Sequence, residues 1–177
     1  MPAIGNARIA ILATNGFEQS ELEEPKKALQ EAGATAEVVS PTAGQIRGWN
    51  HTDWGSSVSV DVELERADPS RYDALVLPGG VANPDALRGD KAAVAFVRDF
   101  VDSGKPVAAI CHAAWTLVEA DRVQGKRVAS WPSLQTDIRN GGGEWVDEEV
   151  VTDGNLITSR KPDDVPAFSK ALLDALA

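Results

Sequence analysis

Cysteine occurs once in this 177-residue sequence, at Cys111, and the residue after it is one of only two histidines. The pairing suggests nucleophilic chemistry: an imidazole takes the thiol proton, and the thiolate attacks an electrophilic carbon. Pro106-Val107-Ala108-Ala109-Ile110 reads as a buried strand leading directly into Cys111-His112, with Ala113-Ala114 opening an apolar helical stretch. Small residues on both sides suit a sharp strand-to-helix turn, which lifts its central side chain toward the C-terminal rim of a sheet. A helix N-terminus there lowers a thiol pKa and offers amide donors. Open α/β sheets bind ligands at that rim. The competing readings are a buried core cysteine for Cys111 and a surface histidine for His112, whose side chain need not point the same way as its neighbour's.

Two further segments end strand-like runs. Pro78-Gly79-Gly80 follows Ala74-Leu75-Val76-Leu77; paired glycines allow close backbone approach, and their amides suit an oxyanion site, although a plain turn would look the same. Gly16-Phe17-Glu18 follows the first apolar run. Glu18 near a helix start suits catalysis and helix capping equally. Parallel strands would bring Glu18, Gly79-Gly80 and Cys111-His112 to one rim, and this convergence weighs more than any single motif. Trp49 and Trp54 flank the other histidine, His51, in a glycine-punctuated stretch. That stretch reads as an interface, a pocket roof or ordinary packing.

The elements that must position these residues alternate. Strand-like runs lie at 8–13, 34–40, 74–78, 106–110 and 127–130, and helical patterns at 21–32, 90–103, 113–120, 132–140 and 163–176. Pro25 places the regular start of the first helix at that residue, or a kink there. Residues 43–62 alternate at period two and read as a hairpin or excursion; 150–152 and 156–159 read as a hairpin around Asp153-Gly154-Asn155. The pattern predicts a three-layer α/β/α sandwich with a mostly parallel central sheet, formed as one domain over residues 1–177.

Composition narrows the function classes. Hydrophobic residues are 43% and charged residues 25%, ordinary for a globular chain. Seventeen basic against 27 acidic residues give a net charge of −10, with no basic patch dense enough for tight nucleic-acid binding. No run of about 20 apolar residues predicts a membrane span. The first residues carry no signal-peptide pattern, and a lone cysteine agrees with a reducing, cytoplasmic setting. Two histidines and one cysteine are too few for common zinc patterns. Nothing calls for a metal or organic cofactor.

Over nearly its whole length the chain resembles the DJ-1/PfpI superfamily, near the PfpI-like intracellular protease and deglycase branch. The resemblance is carried by Gly16-Phe17-Glu18, residues 73–80, 104–112 and 145–151, Asp153-Gly154-Asn155-Leu156-Ile157-Thr158-Ser159-Arg160 and Pro162-Asp163-Asp164-Val165-Pro166-Ala167-Phe168. It implies a flavodoxin-like core related to class I glutamine amidotransferase domains. It also implies Cys111 as the reactive cysteine, Glu18 as the acid bonded to its sulfur, and His112 as the adjacent histidine. Asp85 would be an acid lent by a neighbouring subunit, so that the site is completed in a homodimer; some relatives assemble dimers into hexamers. The amides of Gly80 and His112 would be the oxyanion donors. Where the branch has glycine and proline after the histidine, this chain has Ala113-Ala114 and then Trp115. This departure makes Gly79, Ala113 and Trp115 candidate pocket residues and bears on the substrate. Family members are described as peptidases, glutathione-independent glyoxalases and deglycases. The expected function is cysteine-dependent chemistry on small reactive carbonyls or glycated proteins and peptides, as stress protection. The alternatives are an intracellular cysteine peptidase, and a non-enzymatic redox sensor or stress chaperone acting through Cys111.

Overall fold

The computed structural model describes residues 3–177. Met1 and Pro2, at the start of the stretch read as lacking a signal peptide, lie outside the described residues. Twelve strands and six α-helices follow one another among the described residues. The first half runs β1 (Arg8–Leu12), β2 (Phe17–Glu18), α1 (Gln19–Glu31), β3 (Thr35–Ser40), β4 (Gln45–Asn50), β5 (Asp53–Ser59), β6 (Val62–Glu63), β7 (Ala74–Leu77), α2 (Ala82–Arg88) and α3 (Lys91–Asp102). The second half runs β8 (Val107–Ile110), α4 (Ala114–Glu119), β9 (Arg127–Val128), α5 (Gln135–Asn140), β10 (Glu144–Trp145), β11 (Val151–Asp153), β12 (Leu156–Ser159) and α6 (Val165–Leu176).

Seven strands form the main sheet in the order β11-β12-β8-β7-β1-β3-β6. Its neighbours pair in parallel except β11 with β12, the expected hairpin. From β1 the chain builds outward through β3 to β6, then crosses back to β7 and builds the other way. The order therefore reverses between β1 and β7, and a crevice opens beyond the carboxyl ends of strands at such a point.

The strand sequences are nearly continuous apolar runs because both faces of the sheet are covered. Successive side chains alternate between faces. Ala10, Leu12, Leu75, Leu77, Val107 and Ala109 join Phe96, Phe100 and Leu117 in one core. Ile9, Ile11, Val76, Ala108 and Ile110 join Leu22, Leu29, Phe168 and Leu172 of α1 and α6 in the other. These are the three layers the alternation predicts. Among the described residues no helix is long and apolar enough to cross a membrane.

Several local expectations shift. Helix α1 starts six residues before Pro25, which is buried inside it; packing of the Leu22 and Leu29 face outweighs the backbone hydrogen bond that proline removes. The patterns at 113–120, 132–140 and 163–176 each open with a 3-10 turn before the α-helix begins. Helix α2, seven residues long, was not predicted: its Asn83-Pro84 near the start reads as loop, although proline fits a first helical turn. The 43–62 excursion is the β4–β5 hairpin, and β2 pairs with β4 in parallel, setting Phe17 opposite Gly48 and Glu18 opposite Trp49. A Cβ on Gly48 would come 3.0 Å from the Phe17 ring, so glycine permits this strand contact.

Candidate active site

Cys111 stands at the end of β8 with φ of +63°. A non-glycine residue in that region costs about 1–3 kcal/mol and persists only where its surroundings hold it. Here the preceding strand is fully buried, and the amide of Trp131 donates to the Cys111 carbonyl at 3.2 Å. The strain turns the side chain off the strand path and onto the rim. Within the turn, His112 Nδ1 lies 3.2 Å from Cys111 Sγ. The two adjacent side chains therefore meet, because the left-handed backbone at Cys111 bends the chain between them. The backbone amides of Gly80 and His112 also face the sulfur.

The carboxyl beneath the sulfur belongs to Glu21, not Glu18. Glu21 is fully buried in the first turn of α1. Its Oε1 accepts a hydrogen bond from the Gly79 amide at 3.0 Å, and its carboxyl is in hydrogen-bonding contact with Cys111. Its Oε2 finds no other partner among the described residues. Burial, and secondarily the charge of Glu18, push the Glu21 carboxyl up to about 8 against the pull of the Gly79 and Gly80 amides. It is therefore protonated at neutral pH and has a proton to give to sulfur. The Gly16-Phe17-Glu18 match points to Glu18; the signal for Glu21 is its position one helical turn later, on the buried side of α1 with Leu22 and Pro25.

Glu18 sits elsewhere in the same site. It ends β2 with a side chain 9% exposed, and its Oε1 accepts from the His51 amide at 3.4 Å. Burial raises its pKa, and the nearby His51 opposes that rise.

His112 is held by indoles. The Trp131 ring stacks on it at 5.7 Å and Trp115 meets it edge-on at 5.0 Å. Burial lowers the pKa of the imidazole, so its resting form is neutral and ready to accept a proton. Burial also raises the Cys111 thiol, and the charge of Glu21 raises it further once that carboxyl ionises, while the His112 and Gly80 amides pull it down. The strand-to-helix turn predicts that a helix N-terminus lowers this pKa. Instead Cys111 is 6% exposed, and desolvation outweighs the amides. The resting pair is thiol and neutral imidazole.

A cleft of about 210 Å³ opens over the sulfur, lined by Glu18, Trp49, His51, Gly80, Val81, Cys111, His112, Trp131 and Pro162. Gly79, Ala113 and Trp115 lie behind this lining. A Cβ on Gly79 would fall 2.5 Å from Glu21 Oε1 and 2.6 Å from Cys111 Cβ. Ala113 is buried in the core. Trp115 braces the back of His112, with its Nε1 donating to Asp137 at 2.9 Å and the Arg88 guanidinium 4.3 Å above its ring. Asp85 is on the exposed side of α2, bonded to Arg88 at 2.8 and 3.0 Å. It borders a neighbouring groove with Gly16, Trp49, Trp54, Val81 and Ala82 and does not line the cleft within this chain.

Two supports were not legible in the sequence. Asn83, fully buried, accepts from the Thr14 amide at 2.7 Å and donates to the carbonyls of Pro78 and Gly79 at 2.9 and 3.1 Å. It ties the loop after β1 to the turn after β7. Arg160 grips the buried Asp164 through two side-chain hydrogen bonds at 2.9 and 3.0 Å and reaches Asp147 at 2.7 Å, fixing the loop that places Pro162 against the cleft. Among the described residues no group of three His, Cys, Asp or Glu side chains is disposed to hold a metal ion.

This arrangement has known counterparts. The DJ-1/PfpI family profile matches residues 7–175. Protein/nucleic acid deglycase 2 of Escherichia coli (strain K12) is 42% identical over 171 residues, covering 96% of this chain and 97% of that protein. The putative cysteine protease YraA of Bacillus subtilis (strain 168) is 38% identical over 169 residues, covering 96% and 98%. A solved two-domain protein from Anabaena variabilis, with DJ-1/ThiJ/PfpI-like and ferritin-like domains, superimposes with a TM-score of 0.90 at 34% identity. That match spans 97% of this chain and about half of the larger protein, 48%. The three-layer fold, the elbow cysteine and the family profile agree: the chain belongs to the DJ-1/PfpI family.

Proposed function

We propose that this protein is a cysteine-dependent enzyme that converts small 2-oxoaldehydes, or their adducts on amines, into hydroxy acids. The observation that carries the reading is the Cys111–His112 contact of 3.2 Å at the floor of a cleft of about 210 Å³. A space this small takes a three-carbon dicarbonyl, or the modified tip of a side chain, more readily than an extended polypeptide. The deglycase name of the Escherichia coli relative supports the same substrate class.

His112 takes the thiol proton as Cys111 Sγ attacks the aldehyde carbon. The amides of Gly80 and His112, already turned toward the sulfur, stabilise the oxygen anion that forms beside it. Neutral Glu21 donates to the sulfur from below and adds no repulsion to a transient thiolate. In a homodimer, Asp85 of a second copy would orient His112 from the side that lacks a carboxylate in this chain. The exposed Val81 and Trp54, 56% and 47% accessible, give that face apolar surface to cover.

Peptidase activity is the second reading, favoured by the name of the Bacillus subtilis relative. The two separate in one panel: methylglyoxal, a methylglyoxal-treated peptide and casein, each with wild-type protein and Cys111→Ser. Hydroxy-acid production from the first two that is absent in the variant supports the carbonyl reading. Casein cleavage without it supports the peptidase reading.

A further inference from the structure

The chain has two imidazoles, His51 and His112, and both line the same cleft. His112 is occupied with the sulfur. His51 is not used by that chemistry, yet it is held with care. It sits in the turn of the β4–β5 hairpin with φ of +57°, again a conformation that a non-glycine residue adopts at a cost. Its amide donates to Glu18 Oε1 at 3.4 Å, and its carbonyl accepts from Trp49 Nε1 at 2.8 Å. Its Nδ1 lies 3.8 Å from the same Glu18 oxygen. Glu18 is fixed in turn, because β2 pairs with β4 and sets it opposite Trp49. The hairpin is moored to α1 by the Ser56 amide, which donates to Gln19 at 2.8 Å. A carboxyl facing Nδ1 leaves Nε2 as the nitrogen free for an occupant of the cleft.

We infer that His51 is a second catalytic residue, which carries a proton from C1 to C2 of the bound 2-oxoaldehyde, with Glu18 as its positioning residue. The inference rests on the dicarbonyl reading above. After Sγ adds to C1, the C1 oxygen carries a proton and the intermediate is a hemithioacetal. His51 Nε2 takes the hydrogen on C1 as a proton. The electron pair left behind forms a C1–C2 double bond, and the C2 oxygen takes a proton from water, giving an enediol. His51 then returns its proton to C2 while the C1 hydroxyl releases one to water. C1 is now a thioester and C2 an alcohol, so oxidation at C1 balances reduction at C2 and no outside oxidant is needed. Water hydrolyses the thioester: the S–C1 bond breaks, sulfur regains its proton, and the hydroxy acid leaves. His51 supplies a base for the carbon-bound proton from a different element of the cleft wall than the one that carries His112.

The test is His51→Gly, because glycine takes a φ of +57° freely and the hairpin keeps its path. Methylglyoxal turnover is expected to fall about 100-fold, a usual contribution of one general base, while labelling of Cys111 by iodoacetamide stays at the wild-type rate. Added imidazole is expected to restore part of the lost rate in His51→Gly and none in Cys111→Ser. In D2O the wild-type product is expected to carry deuterium at C2, since an imidazole 65% exposed exchanges its proton with solvent. Turnover of His51→Gly within about 3-fold of wild type overturns the inference, well short of one general base's contribution. So does a loss that imidazole does not restore. If wild-type protein leaves methylglyoxal unconverted, it is the dicarbonyl reading that fails, and this inference with it.

Discussion

Glu21 and Gly79 share a buried hydrogen bond of 3.0 Å, and that bond holds the Glu21 carboxyl under Cys111. The two residues come from the first turn of α1 and the turn after β7, 58 positions apart in the chain. Their contact ties the acid, the amides that face the sulfur, and the elbow into one unit.

The raised pKa of Glu21 makes stability depend on pH. Its folded value is about 8 against an ordinary 4.5. Between those values the folded chain holds a proton that the unfolded chain has released, so stability falls as pH rises through this window. Below about 4.5 the group is protonated in both states and contributes no slope. Glu21→Gln is expected to flatten the decline in denaturation midpoint between pH 5 and pH 8 relative to wild type. The same variant is expected to remove the loss of Cys111 reactivity caused by Glu21 charge near pH 8. Matching pH profiles for the two proteins would remove Glu21 from this role.

Gly79→Ala is expected to inactivate the protein. The new methyl group would lie 2.5 Å from Glu21 Oε1, 2.6 Å from Cys111 Cβ and 2.8 Å from the Ile110 carbonyl. Two of these are fixed backbone or backbone-proximal atoms, so the turn itself must shift. Slower iodoacetamide labelling of Cys111, with circular dichroism unchanged, is the outcome to look for; wild-type labelling would contradict it.

Asn83→Ala leaves the Thr14 amide and the Pro78 and Gly79 carbonyls without their side-chain partner. Each stranded buried group costs about 1–3 kcal/mol, so a marked drop in the urea midpoint is expected. Asn83→Asp is expected to do worse, since it replaces a donor by a charge facing two carbonyls. Urea titration of the two variants checks both the drop and the order.

Arg160→Met leaves the Asp164 carboxylate, whose side chain is 3% exposed, without a cationic partner and with only the backbone amide of residue 160 donating to it. Loss of the cation is expected to lower the urea midpoint, by less than the loss of a fully buried pair would, because the Arg160 side chain is 22% exposed. Adding Asp164→Leu is expected to recover part of that loss, because the unpaired charge goes too. A double variant as unstable as the single one would show that the pair acts through backbone contacts alone.

The sequence carries the layered fold well, because each buried strand is an uninterrupted apolar run such as Ala74–Leu77 and each long helix shows one apolar face. It also places Cys111, His112 and Gly80 together, since all three follow such strands directly. Glu21 and Asn83 escape it for a shared reason, and Arg160 for another. The first two depend on contacts across 58 residues for Glu21 with Gly79 and 69 for Asn83 with Thr14; the partner of Arg160 is only four residues on, but the burial of Asp164 is set by the tertiary fold. Helical register hints that Glu21 lies on the buried face with Leu22, but it does not say which groups Glu21 meets there. Trp115 shows the opposite error: a bulky residue near the nucleophile suggests a pocket wall, but its register on α4 turns it toward Arg88 and Asp137 instead.

The most direct test of the account follows hydroxy-acid formation from methylglyoxal, without glutathione and in amine-free, thiol-free buffer, with wild-type protein beside Cys111→Ser. The account predicts steady turnover by the wild type and none above background by the variant. Equal rates in the two, or none in either, would contradict it.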